Sequence, residues 1–193
     1  MEYLTRQLRR HERDEFTQHL LTLDAEDRRL RFSSPRSDDA IRDYVEKIDL
    51  ERDAIIVVDD ADLVVIGAAH LARGPGYVEV GVSVLPGARG RGVGSALLER
   101  AKLHARNWGE HEIFTHCAAD NRAMAELAKR HGLRGVIDRG EADAYAEVPA
   151  PDASSFTIEM MAERAAALDH ALKEQLVAAR RLAFAWMPTR ENG

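Results

Sequence analysis

The stretch from Val82 to Leu98 contains residue types that can bind a charged ligand. A valine-rich run ends at Pro86, three glycines follow at positions 90, 92 and 94, and apolar residues then recur at helical spacing. Glycines let consecutive backbone amides turn toward one point, and the start of a helix adds the positive end of its dipole. The pattern predicts a strand, a loop and a helix that bind an anion, and a pyrophosphate meets that description.

Two other phosphate-binding loops fit this sequence less well. Glycines at 90, 92 and 94 do not form the G-x-G-x-x-G pattern of a dinucleotide site, and no βαβ unit opens the chain. The Gly-Lys-Ser/Thr sequence of a Walker loop is absent. A glycine turn with a purely structural role stays open as an alternative.

The glycine-rich stretch resembles a known family signature. Arg89-x-x-Gly92-x-Gly94 matches the Arg/Gln-x-x-Gly-x-Gly/Ala motif of the GNAT superfamily of acyl-CoA-dependent N-acyltransferases, and Val84-Leu85-Pro86 matches the Val-x-Pro step before it. The segment from Asn121 to Leu133 is similar to a second family block, an Asn-initiated helix. The two blocks cover residues 82–133, and flanking elements extend the resemblance to about residues 1–148. Residues 4–50 also look like bacterial GNAT domains, some of which acetylate protein lysines.

The resemblance implies a fold and a co-substrate. The fold would be α/β (α+β), with a mixed, mostly antiparallel central sheet of six to seven strands flanked by helices, plus a long C-terminal helix. The co-substrate would be acetyl-CoA, without a metal. Its pantetheine arm would pair with the backbone of β-strand residues and its pyrophosphate would bind loop amides; the residues implied are Val82, Ser83, Val84, Arg89, Gly90, Arg91, Gly92, Val93, Gly94 and Asn121.

Some of these residues have simpler interpretations that stay open. Asn121 would hydrogen-bond the pantetheine or a phosphate, but a side chain of this type at a helix start also serves as a cap. Arg89 and Arg91 would contact phosphate through charge-assisted hydrogen bonds, or they are ordinary solvated arginines. Of the two arginines, Arg89 is the stronger candidate.

The predicted reaction is acetyl transfer to a primary amine, on a small molecule or a protein lysine. An alkylammonium with a pKa of about 10 must first lose a proton, and Glu79 stands where the family often places its general base. A surface or ion-paired glutamate with no catalytic role stays open as the alternative. The family tyrosine that protonates the departing thiolate is replaced by Ala128, and Tyr145 is a possible substitute. This departure keeps a second interpretation open, a non-catalytic module that senses acyl-CoA.

Composition limits the kinds of partner and site that the protein is expected to have. With 27 Lys and Arg against 33 Asp and Glu, the net charge of −6 gives no broad basic face for nucleic acid. Cys117 is the only cysteine, which excludes an intrachain disulfide and favours the cytoplasm and a buried structural thiol. No apolar run is long enough to span a membrane. The histidines show no metal-binding spacing. His70 and His116 either have ordinary structural roles, which is the favoured interpretation, or line an acceptor cleft.

The coarse pattern along the chain predicts alternating elements. Helices are expected around residues 16–23, 38–48, 93–107 and 121–132, the last capped by Asp120. Strands are expected at 4–8, 55–58, 63–66, 77–85, 112–118, 133–138 and 142–148, the last two joined by a turn at 139–141.

The chain is predicted to divide after residue 148. Residues 1–148 form the GNAT domain, and residues 149–193 form a helical extension that begins after a proline-rich break. Apolar residues from Met161 to Trp186 are spaced by three and four, which indicates one long amphipathic helix from about 155 to 186. Its apolar face either packs on its own domain or pairs with a second subunit as a homodimer.

Overall fold

The computed structural model describes residues 3–138 and 141–185. Its strands and helices follow one another as β1 Arg6–Gln7, α1 Arg13–Thr22, α2 Ala25–Phe32, α3 Asp38–Glu46, β2 Ala54–Asp59, β3 Val65–Arg73, β4 Tyr77–Val84, α4 Val93–Asn107, β5 Glu112–Ala118, α5 Arg122–Arg130, β6 Arg134–Asp138, β7 Glu141–Glu147 and α6 Ala153–Ala185. The α/β class, the sheet of six to seven strands and the long C-terminal helix are confirmed.

The strands form one sheet in the order β1-β2-β3-β4-β5-β7-β6. Only β4 and β5 run parallel, and every other neighbouring pair is antiparallel. Because α4 connects β4 to β5, this crossover is the one place where a helix, rather than a turn, is needed between adjacent strands. The predicted central position of β4 is confirmed, since three strands lie on each side of it.

Helices cover both faces of the sheet and divide the core into two clusters. On one face, α4 packs through Leu97 and Leu98 against Val78 and Val80 of β4. On the other face, α1 and α3 pack through buried side chains such as Phe16 against the opposite side of β2. Successive strand residues point to opposite faces, so β4 presents valines to α4 and the alternate positions to the other face.

One helix was not predicted, and two strands differ in length from the prediction. The helix α2 was not predicted, because none of its residues is buried and it therefore shows no apolar periodicity. Strand β3 continues to Arg73, well past the predicted residues 63–66, and β1 shrinks to two residues. The predicted turn at 139–141 lies partly outside the described residues.

The long helix α6 packs on its own domain through a polar face. Glu163 pairs with Arg100 of α4 at 2.8 Å, and His170 lies 3.0 Å from Asp59 of β2. The predicted apolar stripe lies on the opposite side, where four large side chains are 57–69% exposed, namely Met161, Leu168, Leu172 and Leu176. Trp186, the predicted end of the stripe, lies outside the described residues. None of the helices in the described ranges is long and apolar enough to cross a membrane.

Candidate active site

The loop between β4 and α4 takes a backbone conformation that depends on glycine. A single 3-10 turn spans Pro86–Ala88, and α4 starts at Val93. Gly90 and Gly92 have φ angles of +68° and +95°, in the left-handed region where a Cβ meets the carbonyl oxygen. The bend itself therefore requires both glycines.

The first turn of α4 offers main-chain donors. Gly92 is the N-cap residue and has no side chain to satisfy the first amide groups, which have no acceptor inside the helix. Gly94 has a different role, because a Cβ there would lie 3.3 Å from Cδ2 of Leu127. Its small size lets α4 approach α5. The free amides of the first turn and the positive dipole end of α4 can bind an anion. Helix α5 lies beside this position.

Strands β4 and β5 pair over three residues and then separate. Their register runs from Tyr77–Glu112 to Glu79–Phe114, whereas β4 continues to Val84. Beyond Glu79, the edge of β4 that faces β5 has no strand partner among the described residues. Such an edge can hydrogen-bond an extended ligand as if it were an added strand. The family resemblance implies that the pantetheine arm binds along this edge.

A cleft of about 360 Å³ opens where the end of β4, the loop, α4, α5 and α2 meet. Nine of the ten residues implied for acetyl-CoA binding line it, namely Val82, Ser83, Val84, Arg89, Gly90, Gly92, Val93, Gly94 and Asn121. Its volume lies in the range of small-molecule sites, roughly 300–1,000 Å³. The glycine-rich walls and the amides at the start of α4 fit a pyrophosphate and an extended arm.

The two candidate arginines differ in their surroundings. Arg89 donates from Nε to the carbonyl oxygen of Val84 at 3.0 Å and forms an ion pair of 2.6 Å with Asp27 of α2. These contacts hold its guanidinium at the cleft. Arg91 is exposed and lies outside the lining of the cleft. The ranking of Arg89 above Arg91 as a phosphate contact stays a prediction.

Asn121 caps α5 and also connects it to α2. Its Oδ1 accepts a hydrogen bond from the amide of Met124 at 3.0 Å, and its Nδ2 donates to the carbonyl oxygen of Leu30 at 3.2 Å. The prediction that Asp120 caps this helix is wrong, because Asp120 instead pairs with Arg29 at 2.7 Å. The role of Asn121 toward pantetheine or a phosphate stays a prediction.

Glu79 does not line the cleft and lies where strands β4 and β5 separate. It is exposed and forms the last register pair with β5. Its side chain shares a sheet face with Gly81 and Ser83, because alternate residues of a strand point the same way. The structure thus places Glu79 at the fork between the two strands.

A buried histidine that sequence reasoning missed holds Ser83. His19 of α1 lies 2.8 Å from the Ser83 hydroxyl through Nε2 and 2.8 Å from the carbonyl oxygen of Val65 through Nδ1. Since a carbonyl only accepts, Nδ1 carries the proton and the Ser83 hydroxyl donates to Nε2. Burial lowers the pKa of His19 to about 4, so the ring is neutral at pH 7. No sequence signal connects residues this far apart in the chain.

Sequence reasoning also missed Arg31, which lies on the same face of the sheet as Ser83. Arg31 of α2 lines the cleft and packs over Gly81, and its guanidinium lies 3.4 Å from the hydroxyl of Tyr44. That hydroxyl is also 2.7 Å from Nδ1 of His70. Burial, followed by the nearby Arg31 charge, lowers the pKa of His70 to about 4. Of the two strand histidines singled out earlier, His116 instead pairs with Asp143 at 2.7 Å.

Comparison with models of protein families shows which family the chain belongs to. The sequence model of the "Acetyltransferase (GNAT) family" matches residues 7–133, about two thirds of the chain. The chain belongs to the GNAT acetyltransferase family. It is therefore an acetyltransferase, and acetyl-CoA is its co-substrate. No curated protein matches the chain in a sequence search.

Solved GNAT structures share the fold of this chain. The GNAT domain of S. lividans PAT is 19% identical, with a TM-score of 0.64 over 74% of this chain and 89% of that one. Spermidine N-acetyltransferase from Vibrio cholerae, in complex with CoA and spermine, is 21% identical, with a TM-score of 0.59 over 76% and 96%. A phosphinothricin acetyltransferase from Sinorhizobium meliloti, in complex with acetyl-CoA, is 18% identical, with a TM-score of 0.58 over 77% and 89%. At these identities the likeness shows the fold alone.

The resemblance places Ala128 at the position of the family's proton-donor tyrosine, which stays a prediction. Ala128 is buried in the core, and its side chain has no polar atom. Tyr145 of β7 is exposed and lies opposite Phe114 of β5. Cys117 is buried, and burial raises the pKa of its thiol, as expected for a structural cysteine. Within the described ranges, no group of three or more His, Cys, Asp or Glu residues is arranged to hold a metal ion.

Proposed function

We propose that this GNAT enzyme transfers the acetyl group of acetyl-CoA to a primary amine, on a small molecule or on a protein lysine. The amine attacks directly, within a ternary complex. The observation that carries the proposal is the unpaired edge of β4. It runs from Glu79 at the fork with β5 to the glycine-rich loop at the start of α4.

Acetyl-CoA supplies the thioester carbonyl that the amine attacks. The amides of residues 89–94 bind the pyrophosphate, and the backbone of residues 82–84 hydrogen-bonds the pantetheine along the open edge. Arg89, held by its ion pair with Asp27, places its guanidinium beside the loop. These contacts hold the reacting carbon near the fork, and such positioning contributes much of the rate.

Glu79 accepts the proton that the acceptor ammonium must lose. Its exposed carboxylate is reached from solvent, either directly or through one water. The departing sulfur needs less help, since a thiol with a pKa of about 8.5 is a fair leaving group without a proton donor. The substitution at Ala128 is therefore compatible with catalysis, and Tyr145 is the candidate donor on the same face of the sheet.

Acceptor screening tests the proposal. CoA release is followed with acetyl-CoA and a panel of polyamines, aminoglycosides, amino acids and lysine peptides. We expect release that depends on both acetyl-CoA and one class of amine. Tight binding of acetyl-CoA by calorimetry, with no release for any amine, would instead indicate the acyl-CoA-sensing module.

We also infer that the exposed stripe of α6 joins two copies of the chain. Large apolar side chains lie along one face of a helix of 33 residues, and the opposite face already packs on the domain. Together with Ala165, which lies between Met161 and Leu168, they are spaced by three or four residues, as in a two-helix seam. Apolar surface of this extent is normally covered by a partner.

A further inference from the structure

Arg31 is a cation in the cleft that forms no ion pair with a carboxylate in the described part of the chain. Its one hydrogen-bond contact is with the hydroxyl of Tyr44 at 3.4 Å. Its Nε is buried and has no acceptor among the described residues. A guanidinium taken partly out of water without an ion-pair partner is costly, so the arrangement favours binding of an anion that residues 3–138 and 141–185 do not supply.

The carboxylate of α2 that is best placed to pair with Arg31 already has another partner. Asp27 lies four residues before Arg31, on the same face of the helix, where it could form an i,i+4 ion pair. It pairs instead with Arg89 of the glycine-rich loop at 2.6 Å. Other groups around Arg31 include the ring of Phe32, whose centroid is 4.9 Å from the guanidinium, the Tyr44–His70 pair, and His19, whose pKa is lowered by burial and further by the Arg31 charge. None of these groups carries a negative charge at pH 7, and no ion pair joins Arg31 to Glu79 of β4.

The guanidinium is held beside the proposed base. A Cβ at Gly81 would collide with it, so glycine at this position is what allows Arg31 to lie against β4. Glu79 is two residues earlier on the same strand face, about 6.6 Å along β4. A negative and a positive side chain therefore flank the point at which β4 leaves β5.

We propose that Arg31 binds a carboxylate group of the acceptor, so that the acceptor is an amine with a carboxylate a few bonds away, as in an amino acid. This rests on the proposed function, in which Glu79 takes the proton of the same amine. Guanidinium and carboxylate form paired, charge-assisted hydrogen bonds, which set the orientation as well as the affinity. A polyamine has no group for Arg31 and is repelled by it.

The test compares acceptors in matched pairs. Wild-type enzyme, Arg31→Ala and Arg31→Lys are assayed with L-amino acids and with the corresponding amines that lack the carboxylate, for example lysine against cadaverine. We expect wild type to prefer the carboxylate-bearing member by about 10- to 100-fold in kcat/KM. Arg31→Ala should lose that preference, with most of the change in the KM of the amino acid. Arg31→Lys should keep part of it.

Arg36→Ala is the matched control, because Arg36 also lies over the Phe32 ring but is exposed and outside the cleft lining. Its kinetics should equal those of wild type. Thermal melts and the Kd for acetyl-CoA show whether each variant is folded, and both should be unchanged in Arg31→Ala. A weaker Kd for acetyl-CoA with an unchanged acceptor KM would assign Arg31 to the co-substrate and overturn the proposal.

Two further outcomes separate this proposal from the one on which it rests. If amines without a carboxylate react as well as amino acids, in both wild type and Arg31→Ala, this proposal is overturned while the proposed acetyl transfer stands. The absence of CoA release with either set of amines overturns both. A preference for succinyl-CoA over acetyl-CoA that Arg31→Ala abolishes would place the carboxylate on the acyl donor, which also contradicts an acceptor site.

Discussion

Glu79 and Phe114 form the last register pair between β4 and β5, and beyond them the strands separate. Phe114 is also in register with Tyr145 of β7 on its other side. The three side chains therefore lie in a row across one face of the sheet, and Tyr145 is about 10 Å from Glu79, two strand spacings away. The proposed base and the candidate proton donor thus flank the fork in which amine and thioester must meet.

Substitution of Glu79 by glutamine should slow the reaction without disturbing the co-substrate. We expect kcat to fall by at least about 100-fold, because a positioned general base contributes that much or more. The Kd for acetyl-CoA should stay the same, since Glu79 does not line the cleft. Steady-state kinetics and calorimetry measure the two quantities. Glu147→Gln, on β7 and exposed, is the control, and an unimpaired Glu79→Gln enzyme would remove Glu79 from the mechanism.

Substitution of Gly92 by alanine should weaken acetyl-CoA binding. Its φ of +95° costs a residue with a Cβ about 1–2 kcal/mol, so the loop would change shape or lose stability. We expect the Kd for acetyl-CoA to rise by about 10-fold. Gly87→Ala is a control in the same loop, because a Cβ there meets nothing and its φ is not positive. Equal Kd values for the two variants would contradict the proposed role of the loop.

Elements with a local signal could be predicted from the sequence. The apolar periodicity of α4, the valine-rich run of β4 and the glycines between them each act over a few neighbouring residues, and all three appear where expected. This stretch also forms one part of the cleft lining, whereas the part formed by α2 was not predicted. Such features depend on backbone conformation and on one apolar face, which sequence pattern reports directly.

Features made by distant contacts could not be predicted. The helix α2 packs without a single buried residue, so its sequence carries no apolar period. The position of Arg31 over Gly81 and the bond between His19 and Ser83 depend on how the helices dock on the sheet. Residues 50 or more apart meet there, and nothing in the local sequence fixes which pairs they form.

The stability of the fold should fall in acid because of His19. In the unfolded chain a histidine has a pKa of about 6.5, whereas burial lowers the pKa of folded His19 to about 4. Between these values the unfolded state binds a proton that the folded state does not. The free energy of unfolding is therefore greatest above pH 6.5 and decreases as the pH falls toward 4, by up to about 1.4 kcal/mol per pH unit for this ring.

Urea unfolding of wild type and His19→Asn at pH 4.5, 5.5, 6.5 and 7.5 measures this contribution. His70, with its pKa also lowered to about 4, and the carboxylates add to the decline in both proteins. The variant should be less stable at pH 7.5 but lose about 2 kcal/mol less between pH 6.5 and 4.5. His11→Asn, at an exposed position, should follow wild type. Parallel curves for wild type and His19→Asn would show that His19 does not titrate as proposed.

The exposed stripe of α6 should determine the oligomeric state. Leu168 and Leu172 are 69% and 61% exposed, on the side of the helix away from its own domain. Two glutamates there would place like charges in the seam, so Leu168→Glu with Leu172→Glu should convert a dimer into a monomer of 21.5 kDa, as measured by light scattering. The control is Ala167→Glu with Ala178→Glu, at exposed positions off the stripe, which should leave the mass at twice that value. A wild-type protein that remains monomeric at every concentration would mean that the stripe has no second copy as its partner.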